Sequence, residues 1–157
     1  MSDTKQLTQL GASKTDYPTS PDEATLETFE NQHPAFDYLV PFQCNEFTSL
    51  CPKTGQPDFA RIEIIYVPRV NMVESKSLKL YLFSFRNSGE FHEDVVNRIF
   101  TDLWTAMNPK FMRIVGDFTV RGGIAIKPVV LRYATDADKD TVNAYVSNWD
   151  ALKHGLH

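Results

Sequence analysis

The sequence predicts an α+β fold, an antiparallel sheet with helices on one face, and three observations predict it. Short runs alternate apolar and polar side chains at a period of two, the mark of half-buried strands. In Phe59 to Val67, Ile62, Ile64 and Tyr66 fall on one side and Arg61 and Glu63 on the other. Between two pairs of such runs the period changes to about 3.6, and Val96, Ile99, Phe100, Leu103 and Met107 make one helical stripe. Neighbouring runs are joined by short connections such as Arg121-Gly122-Gly123. Short connections suit antiparallel strands.

The elements follow in order. Residues 1–19 are polar, lack a sustained period and read as a flexible N-terminal arm; residues 20–157 read as one domain. Ser20-Pro21-Asp22-Glu23 predicts a helix start, with Ser20 and Glu23 as a capping box and Pro21 at the first helical position. That helix is expected to run to Glu30 and to stop before His33-Pro34. Tyr38, Val40 and Phe42 suggest a short edge strand, where Pro41 is tolerated. Cys44 to Phe59, with Pro52, Gly55 and Pro57, reads as a structured loop. After the Phe59–Val67 strand, Ser77 to Phe85 reads as a strand apolar on both faces, Leu78, Leu80 and Leu82 opposing Lys79, Tyr81, Phe83 and Phe85. Arg86 to Glu90 is a loop, and Asn108-Pro109 ends the central helix. Lys110 to Val120 and Ile124 to Tyr133 read as a hairpin across the two glycines. Thr135 to His154 reads as an amphipathic helix with Val142, Tyr145, Val146 and Trp149 inward, capped by Thr135 and Asp138. A sheet of so few strands has exposed edges, which invites closure with other subunits.

Composition excludes several classes of function. The chain has 157 residues, 42% of them hydrophobic and 23% charged, a globular balance. Its net charge is −4, which argues against coating nucleic acid. The acidity belongs to the ends: residues 1–33 carry −4 and residues 134–157 carry −2, whereas residues 34–133 carry +2. No apolar run reaches the roughly 20 residues of a membrane span, and Met1 to Ser20 has no signal-peptide core. Two cysteines, Cys44 and Cys51, do not make a disulfide framework, so a cytoplasmic protein with reduced thiols is expected.

Three features carry chemistry. Cys51 and Asp58 lie on one constrained loop, where a thiol and a carboxylate can hold a fixed relation, as covalent catalysis with proton transfer requires. On composition alone a structural cysteine and a turn aspartate explain them as well. His92-Glu93 stands at a helix start, where acids are common for dipole reasons and a histidine adds a group titrating near neutrality. Lys79, flanked by Lys76 and Arg86, sits on a largely apolar face; it reaches an anion, or it snorkels. No G-x-G-x-x-G, phosphate loop or paired His/Cys zinc spacing is present.

Four segments together resemble a known family: EFTSLCPKTGQPDF from Glu46, ESKSLKLYLFSFRN from Glu74, FHED from Phe91, and RGGI from Arg121. They are similar to the NADPH-dependent 7-cyano-7-deazaguanine (preQ0) reductases, or nitrile reductases, in their single-module form, across roughly Glu27 to Ile126. The resemblance implies the tunnelling fold, GTP cyclohydrolase I-like, whose sheets close into a barrel by oligomerisation, here expected as two stacked pentameric rings. It implies reduction of the preQ0 nitrile to the primary amine preQ1 with two NADPH as co-substrate and no metal, a step toward queuosine in tRNA. The partners expected are the small molecule and copies of the chain, with no direct nucleic acid and no membrane. By the resemblance Cys51 is the nucleophile that forms a thioimide, Asp58 delivers protons and His92 assists. Asp58 would serve as an acid only if burial or a nearby negative charge kept it partly protonated. Glu93 binds the guanine-like edge through a donor pair, with Val73, Glu74, Ser75 and His92 lining the pocket. Lys76, Lys79, Arg86 and Arg121 are expected at the NADPH phosphates. A cyclohydrolase-like enzyme and a non-catalytic purine- or pterin-binding protein of the same fold are the alternatives; the first lacks metal-ligand spacing, and the second predicts loss of Cys51 or Asp58, both of which are present.

Overall fold

The computed structural model describes residue 8 and residues 16–155. Most of the arm expected over residues 1–19 therefore lies outside the described residues. Where that segment is described it is attached: the Thr8 amide donates to Glu27 (3.0 Å), and the Tyr17 ring packs on Phe83 with centroids 4.6 Å apart.

The fold is α+β. A four-stranded antiparallel sheet has the order β2-β3-β5-β6, formed by β2 (Val40–Leu50), β3 (Pro57–Val67), β5 (Phe111–Phe118) and β6 (Val129–Tyr133). A separate pair joins β1 (Thr28–Glu30) to β4 (Asn71–Val73). Among the described residues three helices complete it: α1 (Ser75–Ser84), α2 (His92–Met107) and α3 (Lys139–Gly155). No helix among the described residues is long and apolar enough to cross a membrane.

Strand β3 is the axis of the core, and its alternation assigns the layers. Ala60, Ile62, Ile64 and Tyr66 face one side and pack against Leu78, Tyr81 and Leu82 of α1 and Val96, Ile99 and Leu103 of α2. The predicted α2 stripe is this buried face; the helix ends at Asn108, left-handed at φ 46°, with Pro109 beyond it. Gly116 of β5 lets α2 approach. A Cβ built there would stand 2.6 Å from Val96 Cγ2 and 2.9 Å from the Phe118 ring.

The other side of β3 corrects the expectation of helices on one face. Ile65 and Val67 cluster with Phe111 and with Val142 of α3, flanked by Leu39, Tyr133, Val146 and Trp149. α3 therefore lies on the face opposite α1 and α2. Arg113 fixes it there by pairing with Asp150 (2.7 Å) and Glu63 (3.1 Å), and Lys153 also pairs with Glu63. The helix begins at Lys139, not Thr135, because Asp138 accepts from the Asp140 and Thr141 amides (3.1 and 3.2 Å). Tyr145 points outward, at 38% exposure.

Three other expectations change. The helix over Ser20–Glu30 shrinks to a 3-10 turn at Pro21–Glu23. Glu23 closes it by accepting from the Thr19 amide and hydroxyl (3.0 and 2.8 Å), one residue before the expected cap. Beyond it the backbone is taken by tertiary partners: the Glu27 amide donates to Ser77 Oγ (3.0 Å), and its carbonyl accepts from the Glu74 amide (2.8 Å). A helix this short has little stability of its own to resist them. The long loop from Cys44 to Phe59 is also mostly strand. β2 runs on to Leu50 through a bulge between Cys44 and Phe47, and only Cys51 to Gln56 connects it to β3. Pro57 opens β3, and Pro41 sits on edge strand β2, both positions where a missing N–H is tolerated.

The strand expected at Ser77–Phe85 is helix α1. Nearly every position there is apolar, so the alternation of Leu78, Leu80 and Leu82 coexists with a helical set of Leu78, Tyr81, Leu82 and Phe85, all buried. The run SKSLKLYLFS has no β-branched residue, and the Glu74 carboxylate caps it by accepting from the Lys76 and Ser77 amides (both 2.8 Å). The glycine hairpin is present as expected. Arg121 and Ile124 exchange backbone bonds (3.2 and 3.1 Å) around Gly122 and Gly123 at φ 58° and 80°. Its strands are shorter than expected, with β6 beginning only after Pro128.

Gly116→Ala is expected to destabilise the protein by about 1–3 kcal/mol, since Val96 and the Phe118 ring must both give way. A lowered urea midpoint at unchanged slope is the measurement.

Candidate active site

The β2–β3 connection holds Cys51 in a tight turn. The Cys51 amide donates to the Gln56 carbonyl (2.8 Å), the Gly55 amide donates to the Cys51 carbonyl (2.9 Å), and Gly55 takes φ 66°, which favours glycine. Hydrogen bonding from the Thr54 side chain, and then from the Lys53 and Thr54 backbone, holds the Cys51 thiol below its ordinary range. The turn is stapled to the segment that leads into α2. Leu50 and Gly89 form a parallel bridge: the Leu50 amide donates to Ser88 (2.9 Å), and the Glu90 amide donates to Leu50 (3.2 Å). Gly89 is tolerated close to Pro52, where a Cβ would be 3.4 Å from Pro52 Cα. This staple places His92 and Glu93, the first two residues of α2, beside the cysteine turn.

Asp58, the second residue of β3, is 3% exposed. One carboxylate oxygen lies 3.2 Å from His92 Nε2; the other pairs with Arg121, whose Nη2 also donates to Gln56 Oε1 (2.7 Å). The His92 imidazole lies flat on the Phe118 ring, centroids 4.0 Å apart and planes 14° apart. The charge of Asp58 reaches Cys51, opposing slightly the lowering of its thiol. Thus Cys51, Asp58, His92 and Arg121 form one cluster, and Glu93, the residue after His92, is exposed. Arg121, expected at a cofactor phosphate, is in this structure bound to Asp58.

The remaining expected residues gather around α1. Lys79 and Arg86 line a cavity of about 240 Å³ with Ser75, Phe42, Phe47 and Phe83. The Arg86 guanidinium lies over the Phe83 ring at 4.3 Å. Two cations beside aromatic walls suit an anionic ligand carrying a planar ring, so these residues fit part of a dinucleotide such as NADPH. Lys76 is on the first turn of α1. Glu74 is buried at 4%, with its carboxylate committed to the helix cap, and Val73 is buried at 2%. Val73 lies near the Tyr66 side chain, and Tyr66 is eight residues, about 26 Å, along β3 from Asp58. Within one chain Val73 therefore lies far from Asp58, and Ser75 lines the cavity beside α1, whose walls do not include Cys51. Among the described residues no group of three or more His, Cys, Asp and Glu side chains is arranged to hold a metal ion.

Sequence reasoning missed Thr54, Gln56 and Phe118 as site residues. Thr54 and Gln56 lie inside the Cys51–Asp58 segment, where polar residues in a tight turn were a usable signal. Phe118 reads as an ordinary inward strand residue, and only tertiary structure sets it under His92.

Comparison with known proteins identifies the chain's family. Residues 57–137 match the family model described as QueF-like protein. The chain is 62% identical over 122 residues to the NADPH-dependent 7-cyano-7-deazaguanine reductase of Neisseria meningitidis serogroup B, covering 78% of each chain. It is 59% identical over 155 residues to the Bacillus cytotoxicus protein of that name, covering 99% of this chain and 92% of the relative. The Bacillus cereus protein of that name is 50% identical over the same length. Among solved structures, the apo form of the archaeosine synthase QueF-Like superposes with a TM-score of 0.57 at 20% identity, over 62% of this chain and 95% of its own, which is a likeness of fold. A match over more than half the chain, with relatives this similar over most of their length, means that this chain belongs to the QueF-like family of NADPH-dependent 7-cyano-7-deazaguanine reductases.

Proposed function

We propose that this chain reduces the nitrile of 7-cyano-7-deazaguanine to the primary amine, through a Cys51 thioimide and with two NADPH consumed. The observation that carries the reading is the half-buried Cys51, its thiol held low by Thr54, in one cluster with the Asp58–His92 pair. A nitrile carbon is a sluggish electrophile, so the attacking group must be a thiolate. The Cys51 sulfur adds to that carbon, and the Asp58–His92 pair gives a proton to the nitrogen as its charge develops. NADPH supplies the two hydrides that reduce the carbon. Cys51 leaves after the first reduction, and the second completes the amine. Glu93 accepts from the ring N–H and exocyclic amine of the base.

Lys79 and Arg86 hold the phosphates of the cofactor, with Lys76 and Arg121 in support. The distance of Val73 from the Asp58 end of β3 supports a site completed by a neighbouring copy. So do the edge strand β6 and its Val129 and Leu131, 57% and 50% exposed. Rings of this tunnelling fold, two pentamers stacked, are the assembly we propose, acting in the cytoplasm on a free base.

Incubation with preQ0 is expected to add the mass of the base to Cys51, mapped by peptide away from Cys44, and to oxidise two NADPH per preQ0. Loss of neither adduct nor turnover in Cys51→Ala would refute the nucleophile. Thr54→Ala removes the largest influence lowering the thiol. The pH midpoint of Cys51 alkylation should therefore move upward and the rate at neutral pH should fall, because less thiolate is present; an unmoved midpoint refutes the role of Thr54. Lys79→Ala should raise KM for NADPH about tenfold, the cost of one charge-assisted contact, while KM for preQ0 changes little in steady-state assays.

A further inference from the structure

Ser49 stands directly across the β2–β3 ladder from Asp58. Residues opposite each other in an antiparallel pair point to the same face, with Cβ atoms about 4.5–5.5 Å apart. Both are buried, Ser49 at 0% exposure and Asp58 at 3%. The Ser49 hydroxyl finds no hydrogen-bond partner among the described residues. Buried hydroxyls are nearly always bonded, so one left over beside a reacting carboxyl needs an explanation.

The chemistry of Asp58 supplies it. In this structure one oxygen is held by Arg121 and the other by His92. A guanidinium has donors and no acceptor, so Arg121 serves the carboxylate and has nothing to offer a carboxylic acid O–H. A serine hydroxyl both donates and accepts, and it changes between the two by rotating about one bond. Resting on the reductase reading above, we infer that Ser49 is a positioning residue for Asp58, accepting from its O–H when Asp58 carries the proton and donating to the carboxylate once it is delivered. In that delivery the Asp58 O–H bond breaks, an N–H bond forms on the substrate nitrogen, and the Ser49 hydroxyl turns over to face the new negative charge. The pair needs no backbone movement, because the ladder register already sets the two side chains together.

The test compares wild type, Ser49→Ala, Ser49→Thr, Asp58→Asn and the Ser49→Ala/Asp58→Asn double variant. Two rates are read on each: Cys51 adduct formation with preQ0 by mass, and Cys51 alkylation by iodoacetamide, which needs no proton from Asp58. Ser49→Ala is expected to slow adduct formation about tenfold, the worth of a hydrogen bond to a charged group, with alkylation unchanged. Ser49→Thr, which keeps the hydroxyl, should recover most of that loss. In the Asp58→Asn background, Ser49→Ala should cost nothing further, since residues acting through one another are not additive. Wild-type adduct rates in Ser49→Ala would overturn the assignment. So would a parallel fall in alkylation, or an undiminished loss in the Asp58→Asn background. Absence of any preQ0 adduct on the wild-type protein would instead overturn the reductase reading, and this inference with it.

Discussion

The main-chain bridge between Leu50 and Gly89 is the constraint on which the site depends. It joins the tip of the β2–β3 hairpin, with Cys51 on one side and Asp58 on the other, to the residues that enter α2. Because its two bonds are backbone to backbone, they fix position without committing any side chain. Gly89 contributes by what it lacks, letting the chain lie against Pro52. The core carries the same geometry onward. The α2 stripe sits on β3 and β5, so the helix cannot turn about its axis without unpacking Val96, Ile99 and Leu103, all 0% exposed.

Electrostatics divides the molecule in a way the net charge conceals. The acidic ends fold back on the basic middle: Asp22 pairs with Arg98, Asp136 with Arg69 and Asp150 with Arg113. Arg113 lies in the sheet, where its pairing with Asp150 and Glu63 offsets the loss of hydration. Lys79 and Arg86 enter no ion pair among the described residues, and both border the cavity beside α1. The positive charge available to a ligand is thus more local than a sum of +2 over residues 34–133 implies.

Much of this was legible in the sequence, and the rest failed for identifiable reasons. The alternation in β3, the stripe in α2 and the glycine hairpin are strong local signals, and each has its structure. Ser77 to Phe85 misled because a segment apolar on nearly every side satisfies both periods; capping by Glu74 and the absence of β-branched residues were the better guide. Thr28 to Glu30 became a strand because a distant partner, β4, takes its backbone. Pro52, Gly55 and Pro57 marked a turn correctly but exaggerated its length, since proline is compatible with the start of a strand. At the site, Cys51, Asp58 and His92 lie together, while the bond from Arg121 to Asp58 spans sixty-odd positions and has no local signature.

Phe47 belongs to two structures at once. Its ring meets Phe118, the support of His92, edge-on at 6.5 Å, and it meets Phe85 at 5.5 Å while forming a wall of the cavity near Lys79. A single rigid ring is thus a party wall between the cavity beside α1 and the cysteine cluster. Neither compartment can be reshaped alone, and an enzyme engineer enlarging the cavity through Phe47 would also loosen the floor beneath the histidine. Evolution meets the same restriction: changes in the two places must be matched, because both lean on one ring.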